Sequence, residues 1–361
     1  MAKLYVLGAR QRHLLLKRED EWNLYESGLI LEIDTETRSV STCLEYKTPS
    51  EARASENSSV LFKSGTLVGN VLYACTSTEV MIFELPTFRR INYISLPCFN
   101  DVHHVAPSSD GALLVVNTGL DMVVKCTHQG DVLDAWSVLQ EPPWSRFSAS
   151  IDYRKVETTK PHVSHPNFVF ELDGQPWVTR YYQRDAICLD GSKRIAIPSQ
   201  FPHDGLIRGG RIYFTSVDGK VVIINSKTLT VERSVDLQQI EGQDSLLGWC
   251  RGLSLVDDYR AWVGFTRIRK TRFQENVMWV RNSIREVAKE KPTHIALYDL
   301  ANERSLEEFD LEPYGMNVVF GIFPAVSSAT LHCTNISPRS GLDHHLQRSA
   351  DRSVDCDAKT V

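Results

Sequence analysis

The sequence predicts an all-β fold, a six-bladed β-propeller in which strands from both ends of the chain close the first blade. Three observations support this prediction: one strand pattern recurs six times, short polar turns separate the strands, and the first repeat lacks its inner strand. Short β-branched and aromatic runs at such intervals are typical of radially repeated sheets. One aligned position of the repeat is always large and apolar: Tyr5, Leu72, Leu114, Trp177, Tyr213 and Trp262.

The aligned position lies in the second strand, B, of each predicted blade, found in KLYVLGAR, NVLYACTS, ALLVVNTG, QPWVTRYY, RIYFTSVD and RAWVGFTR. A third strand, C, follows in GLILEID, EVMIFEL, MVVKCTH, DAICLDG, KVVIINS and HIALYDL. The outer strand, D, follows in SVSTCLEY, RINYISL, VLDAWSV, KRIAIPS, RSVDLQ and SLEEFDL. Five inner strands, A, precede a B strand, in SVLFKSG, DVHHVAPS, NFVFELD, HDGLIRG and CRGLSLV.

The sixth inner strand is found at the other end of the repeats, in NVVFGIFPA at residues 317–325. We expect it to pair with the first strand, because this closure removes free sheet edges. The propeller domain is therefore predicted at residues 1–335. Residues 336–361 lack apolar periodicity and are predicted to form a disordered tail.

Composition narrows the class of partner. The net charge of −5, with charged residues spread along the chain, disfavours a nucleic-acid-binding surface. No apolar run approaches eighteen residues, and MAKLYVLGAR does not resemble a signal peptide, so no membrane association is expected. Eight scattered cysteines without CxxC spacing fit buried thiols in a reducing compartment. A cytoplasmic protein is predicted, and a protein partner is compatible with these features.

All long insertions fall in D-to-A or B-to-C links, which share one face of a propeller. They cover residues 11–27, 47–59, 140–166 and 266–293. Long loops on a rigid scaffold commonly carry function, so this face is the predicted location of the site. The last insertion contains a short helical segment with the apolar stripe Val277, Val280, Ile284 and Val287, which predicts packing onto the propeller or a lid.

Polar residues recur at one level of the predicted inner strands. Counting back ten or eleven residues from the aligned apolar position reaches His103, His104, Asn167, His203 and Arg251. Nearby positions add charged and aromatic groups, namely Asp101, Asp204, Trp249 and Arg267, while His162 and His165 end the adjacent insertion. These residues are expected at the mouth of the central channel.

Three chemical uses fit this set. Imidazoles from His103, His104 and His203 suit a divalent transition metal. Alternatively, His104 or His203 acts as a general acid or base, with Asp204 or Asp101 orienting the ring. Finally, the set binds an anionic small molecule, through Asp101, His103, Asn167, Trp249, Arg251 and Arg267. A structural alternative is that these groups fill the channel through hydrogen bonds and water.

Charge on the loop face favours the anionic ligand. Although the whole chain has a net negative charge, this face contains a group of basic residues: Arg146, Arg154, Lys160, Arg267, Arg269, Lys270 and Arg272. Acidic neighbours provide a neutralising alternative, namely Glu141, Asp152, Glu157 and Glu275. The chain contains no GxSxG, Walker A or strand-linked GxGxxG motif, so no reaction can be read from motifs.

The run GWCRGLSLVDDYRAWVGFTRIRKTRFQENVMW, with FPHDGL and FTSVDG upstream and THIALYDL downstream, resembles uncharacterised bacterial propeller proteins of the DUF4915 type. The resemblance covers blades 5 and 6, with matches at His203, Arg251, Gly252, Leu253 and Arg267. It implies a propeller and a shared site, without an established reaction. The predicted function is binding of a polar anionic small molecule at the channel mouth, with or without its chemical transformation; the alternative is a non-catalytic interaction scaffold.

Overall fold

The computed structural model of the 361-residue chain describes residues 3–12, 23–242, 244–268 and 289–326. Six four-stranded antiparallel sheets form the six blades of a propeller, which confirms the predicted fold class. The predicted helical insertion and the predicted tail at residues 336–361 lie outside the described residues.

The first eleven strands in chain order are β1 (Lys3–Gln11), β2 (Tyr25–Asp34), β3 (Ser39–Tyr46), β4 (Gly65–Val68), β5 (Val71–Cys75), β6 (Val80–Glu84), β7 (Arg89–Ile94), β8 (Val102–Pro107), β9 (Leu113–Asn117), β10 (Met122–Cys126) and β11 (Val132–Ser137). The next eight are β12 (Pro166–Leu172), β13 (Gln175–Arg180), β14 (Asp185–Cys188), β15 (Arg194–Ala196), β16 (Pro202–Arg208), β17 (Arg211–Ser216), β18 (Lys220–Asn225) and β19 (Val231–Asp236). The last seven are β20 (Ser245–Leu246), β21 (Trp249–Leu255), β22 (Arg260–Thr266), β23 (Lys289–Glu290), β24 (His294–Asp299), β25 (Arg304–Asp310) and β26 (Val318–Pro324).

The blades follow the chain in order, except that the first is completed last. From the inner to the outer strand they are β26-β1-β2-β3, β4-β5-β6-β7, β8-β9-β10-β11, β12-β13-β14-β15, β16-β17-β18-β19 and β21-β22-β24-β25. A further two-stranded parallel sheet, β20-β23, joins the two links of blade 6.

The closure of blade 1 is confirmed. β26 runs antiparallel to β1, with Leu4 opposite Pro324 and Ala9 opposite Val318. Gly8 permits this approach, because a Cβ atom at that position would collide with the Val318 carbonyl oxygen. The two ends of the propeller are thus held together by backbone hydrogen bonds.

The aligned apolar position of the repeat packs between blades. All six residues at that position are at most 2% exposed. Clusters join neighbouring sheets, as where Tyr213 of blade 5 packs with Val263 and Phe265 of blade 6. Burial of each such side chain contributes roughly 1.5–3 kcal/mol, which explains why the position is always large.

The inner strands share a distortion at the level of the channel mouth. Five of them carry a register shift there, at His103 in β8, at residues 167–168 in β12, at residues 203–204 in β16, at Gly252 in β21 and at Phe320 in β26. An extra residue of this kind bends the strand and re-aims side chains. Four inner strands also begin one residue after a left-handed residue: Asp101, His165, Phe201 and Gly248.

One local expectation differs from the structure. The inner strand of blade 2 was expected in SVLFKSG, but β4 begins only at Gly65, so Lys63 lies in the preceding loop. The single α-helix of the described residues is α1 (Leu237–Glu241), between blades 5 and 6. The Asp236 carboxylate caps it by accepting a hydrogen bond from the backbone N–H of Gln239. Short 3₁₀ turns occur at Ser50–Ala52, Thr118–Leu120, Tyr153–Lys155 and Glu312–Tyr314. No described helix has the length and apolar character needed to cross a bilayer.

Candidate functional site

A cavity opens on the face formed by the D-to-A and B-to-C links, where the long insertions were predicted to mark the site. Its space, including the open mouth, is about 1690 Å³. The wall combines loop residues with residues of the inner strands. Those that carry the chemistry are Lys63, Asp101, His103, His162, His165, His203, Arg251 and Phe320.

Six of the nine predicted site residues line this cavity: Asp101, His103, His203, Trp249, Arg251 and Arg267. His104, Asn167 and Asp204 do not. The His104 ring lies 4.8 Å from the Phe168 ring, and its Nε2–H donates to the Gly65 carbonyl at 2.9 Å. Asn167 donates through Nδ2 to the Pro202 carbonyl at 3.3 Å.

The predicted metal set of His103, His104 and His203 is therefore only partly brought together. The rings of His103 and His203 lie 5.7 Å apart, but His104 is directed between blades. Successive strand residues point to opposite sides, and the register shift at His103 decides which of the two neighbouring histidines faces the cavity.

Arg251 is a buried cation that has no ion-pair partner among the described residues. It is 7% exposed, and it forms no ion pair with any carboxylate in the part of the chain that the structure describes. Its Cζ atom lies 5.0 Å from the Trp249 ring and 4.5 Å from the Phe320 ring. Its Nε atom is buried with no hydrogen-bond partner there. Aromatic contacts offset part of the desolvation cost of a guanidinium, but no described residue accepts a hydrogen bond from its N–H donors.

His203 lies against the same Phe320 ring, at 5.9 Å between centroids. Neither ring nitrogen has a hydrogen-bond partner among the described residues. The Asp204 carboxylate lies behind the ring, 3.6 Å from Nδ1, and accepts the Gly252 N–H at 3.0 Å. Burial and the charge of Arg251 lower the pKa of His203 despite Asp204, so the ring is neutral near pH 7.

His103 is held beside a buried ion pair. The Lys63 ammonium pairs with the Asp101 carboxylate, and the Lys63 side chain is only 3% exposed. His103 Nδ1 lies 2.7 Å from the Asp101 carbonyl oxygen, so Nδ1 is the donor and Nε2 carries the lone pair. Burial and Lys63 hold the pKa of His103 well below its usual value. Burial alone would raise the pKa of Asp101, but Lys63 and His103 hold it well below its usual range.

His162 and His165 form a stacked pair on the loop before β12. Their rings lie 5.0 Å apart, and the two Nδ1 atoms lie 2.7 Å apart. Burial lowers the pKa of both rings, and for His165 the neighbouring His162 adds to the effect. The His165 ring also contacts the His103 ring at 5.0 Å, so the pair continues the histidine cluster of the cavity.

Asp121 holds this loop in place. Its carboxylate accepts backbone N–H bonds from Val163, Ser164 and His165 at 2.9, 3.0 and 2.8 Å, and an ion pair from Arg146 at 2.7 Å. Sequence reasoning named neither Asp121 nor Lys63. Asp121 lies in the B-to-C link of blade 3. Lys63 stands nine residues before Leu72, outside the ten- and eleven-residue levels that selected the histidines.

Three of the four described residues of the predicted basic face form ion pairs. Arg146 pairs with Asp121, Arg154 pairs with Asp152 at 2.8 Å, and Arg267 pairs with Glu312 at 2.9 Å. The predicted residues Arg269, Lys270 and Arg272 lie outside the described residues. The anion argument therefore rests on Arg251 and not on the sum of surface charges.

Comparison with known proteins gives the fold. No family model matches the chain, and no curated protein matches it. A protein of unknown function from Bacteroides caccae is 14% identical over 89% of this chain and 98% of its own, with a TM-score of 0.55. A structure of the nidogen/laminin complex is 10% identical over 88% of this chain and 97% of that one, with a TM-score of 0.52. The chain is a β-propeller.

A weaker likeness is to a catalytically inactive virginiamycin B lyase from Staphylococcus aureus with quinupristin. It is 15% identical over 65% of this chain and 69% of that one, with a TM-score of 0.42. The resemblance to the DUF4915 family is not confirmed, because no family model matches. The propeller fold is compatible with both binding and scaffold roles.

Proposed function

We propose that the cavity binds a small polar anion through Arg251. The observation that carries this proposal is the buried guanidinium without an ion pair among the described residues. An isolated buried charge costs several kcal/mol, and an anionic ligand would offset that cost.

The surroundings of Arg251 suit a planar anionic group. Trp249 and Phe320 each lie within aromatic contact of the guanidinium carbon. Such contacts restrict the orientation of the guanidinium while the N–H donors in its plane stay available. Two parallel N–H bonds to a carboxylate, phosphate or sulfate are the strongest arrangement for these donors.

His203 is the proposed proton acceptor for a bound molecule. It is neutral, lines the cavity and has no hydrogen-bond partner for either ring nitrogen among the described residues, while the Asp204 carboxylate lies 3.6 Å from Nδ1. A neutral imidazole next to an anchored anion has the geometry of a general base. His104 is not proposed for this role, because its ring faces Gly65 and Phe168.

The family resemblance supports the same location. The runs in blades 5 and 6 that resemble the DUF4915 proteins include His203, Arg251 and Arg267, and all three line the cavity. We include these residues in the proposed binding site on both grounds.

The test is calorimetric titration with inorganic phosphate, sulfate, acetate, succinate and citrate. We expect at least one of these anions to bind the wild type, and Arg251→Gln to weaken its binding about 30- to 150-fold, from the loss of roughly 2–3 kcal/mol of charge-assisted hydrogen bonding. The matched control is Arg260→Gln, because Arg260 pairs with Asp257 on the surface and is 51% exposed.

Equal affinity of the wild type and Arg251→Gln for every bound anion would contradict the proposal. It would also fail if the wild type bound none of these probes, and the interaction scaffold would then be the better function.

A further inference from the structure

Three side chains of the cavity converge in a way that the anion site does not explain. Asp101, His162 and His165 each offer one ligand atom, and these atoms lie within 4.8 Å of one another. They come from two different links, one before β8 and one before β12. Within the described ranges this is the one group of three or more His, Cys, Asp or Glu residues with such spacing.

We propose that Asp101, His162 and His165 bind a divalent transition metal ion of the zinc class. Two imidazoles and a carboxylate are a ligand set that such ions prefer. Three protein ligands leave a fourth position for water or a bound molecule, as in catalytic zinc sites. The proposal does not rest on Arg251 or on the anion site, because neither Arg251 nor His203 is a ligand.

The two histidines are close to the spacing of a metal site, whereas the separations within the whole group, which reach up to 4.8 Å, must shorten on metal binding. Nitrogen ligands of tetrahedral zinc lie about 2.0–2.1 Å from the metal, which sets them roughly 3.3 Å apart. The Nδ1 atoms of His162 and His165 are 2.7 Å apart, so the rings need to separate by only a few tenths of an ångström. Without a metal, one Nδ1–H donates to the other Nδ1, and coordination by both Nδ1 atoms requires that proton to move to Nε2 of its own ring.

The loop that carries both histidines is already ordered. Asp121 binds the backbone N–H groups of residues 163–165, so the clamp does not depend on either imidazole. Asp101 occupies the left-handed region at φ 51°, directly before β8. Ligands on segments fixed by other contacts lose little conformational freedom on metal binding.

Lys63 is the group that competes with the metal. Its ammonium pairs with the Asp101 carboxylate and is buried beside it. A divalent ion at Asp101 would lie close to this positive charge, so Lys63 would lower the metal affinity. Replacing Lys63 by methionine removes the repulsion and frees the carboxylate. A purely structural histidine pair gives no reason for this variant to bind zinc more tightly.

The experiment measures zinc retained per chain after dialysis of tag-free protein, by mass spectrometry, and the visible spectrum after Co²⁺ replacement. We expect one ion per chain and the intense bands of a four- or five-coordinate site. His162→Ala and His165→Ala should each weaken binding at least about 100-fold, since even supporting residues of metal sites contribute 10- to 100-fold. Lys63→Met should bind more tightly than wild type.

One control keeps the outcome specific. His128→Ala changes a histidine outside the cavity lining, and it should retain the ion. Wild type that retains no zinc, or His162→Ala and His165→Ala that retain as much as wild type, would overturn the proposal. If a variant fails to fold, the Co²⁺ spectrum of wild type decides: octahedral, weakly absorbing cobalt counts against the site.

Discussion

The Asp121 clamp makes a strong quantitative prediction. In Asp121→Asn the amide oxygen can keep one pair of contacts, such as those from Ser164 and His165, which both reach Oδ1. The amide NH₂ group then faces the Val163 N–H and the Arg146 guanidinium, which also need an acceptor. The substitution therefore loses two hydrogen bonds to a buried charge without changing the volume of the side chain.

The magnitude follows from burial. Asp121 is 1% exposed, while the Arg146 side chain is 30% exposed. A hydrogen bond to a buried charged group contributes about 1.5–3 kcal/mol, and the partly exposed ion pair is discounted for solvent. We expect the free energy of unfolding to fall by about 3–4 kcal/mol.

The assay is urea unfolding followed by tryptophan fluorescence. Asp258→Asn is the control, because Asp258 is 51% exposed and its nearest guanidinium nitrogens lie 3.8 and 3.9 Å away. The control should unfold like wild type. A loss of less than about 1 kcal/mol in Asp121→Asn would refute the clamp, since that is the effect of an average substitution.

Three further predictions concern stability and closure. Burial lowers the pKa of His104 from 6.5 to about 4, so between these pH values the unfolded state binds a proton that the folded state does not. The contribution of His104 to the free energy of unfolding is therefore fully present above pH 6.5 and is lost as the pH falls to about 4. His104→Gln should remove about 3 kcal/mol of this pH dependence from urea titrations across that window, and an unchanged slope would contradict it. Gly8→Ala should destabilise the protein by roughly 3–5 kcal/mol in the same assay, because the new Cβ meets the Val318 carbonyl. Deleting residues 317–361 removes β26 and should give aggregated protein, whereas deleting 338–361 keeps β26 and should give soluble protein; sedimentation separates the two outcomes.

The sequence by itself determined the number of blades and the closure. The number of blades follows from the six repeats of strand B, whose aligned residue must be large because it packs between sheets. The closure follows from NVVFGIFPA, which has the pattern of a strand but no further strands after it to form a blade. The face of the cavity was also predictable, because loop lengths are visible in the sequence and strand order assigns each link to a face.

The tertiary structure decided which side chains meet. His103 and His104 are adjacent in sequence, and the register shift in β8 sends only His103 into the cavity. Three residues that support the site come from three different repeats: Lys63, Asp121 and Phe320. The number of residues that separates them from the site histidines follows no period of the repeat. Backbone periodicity is a local property that a sequence displays, whereas partners across blades depend on bulges and left-handed residues that many sequences permit.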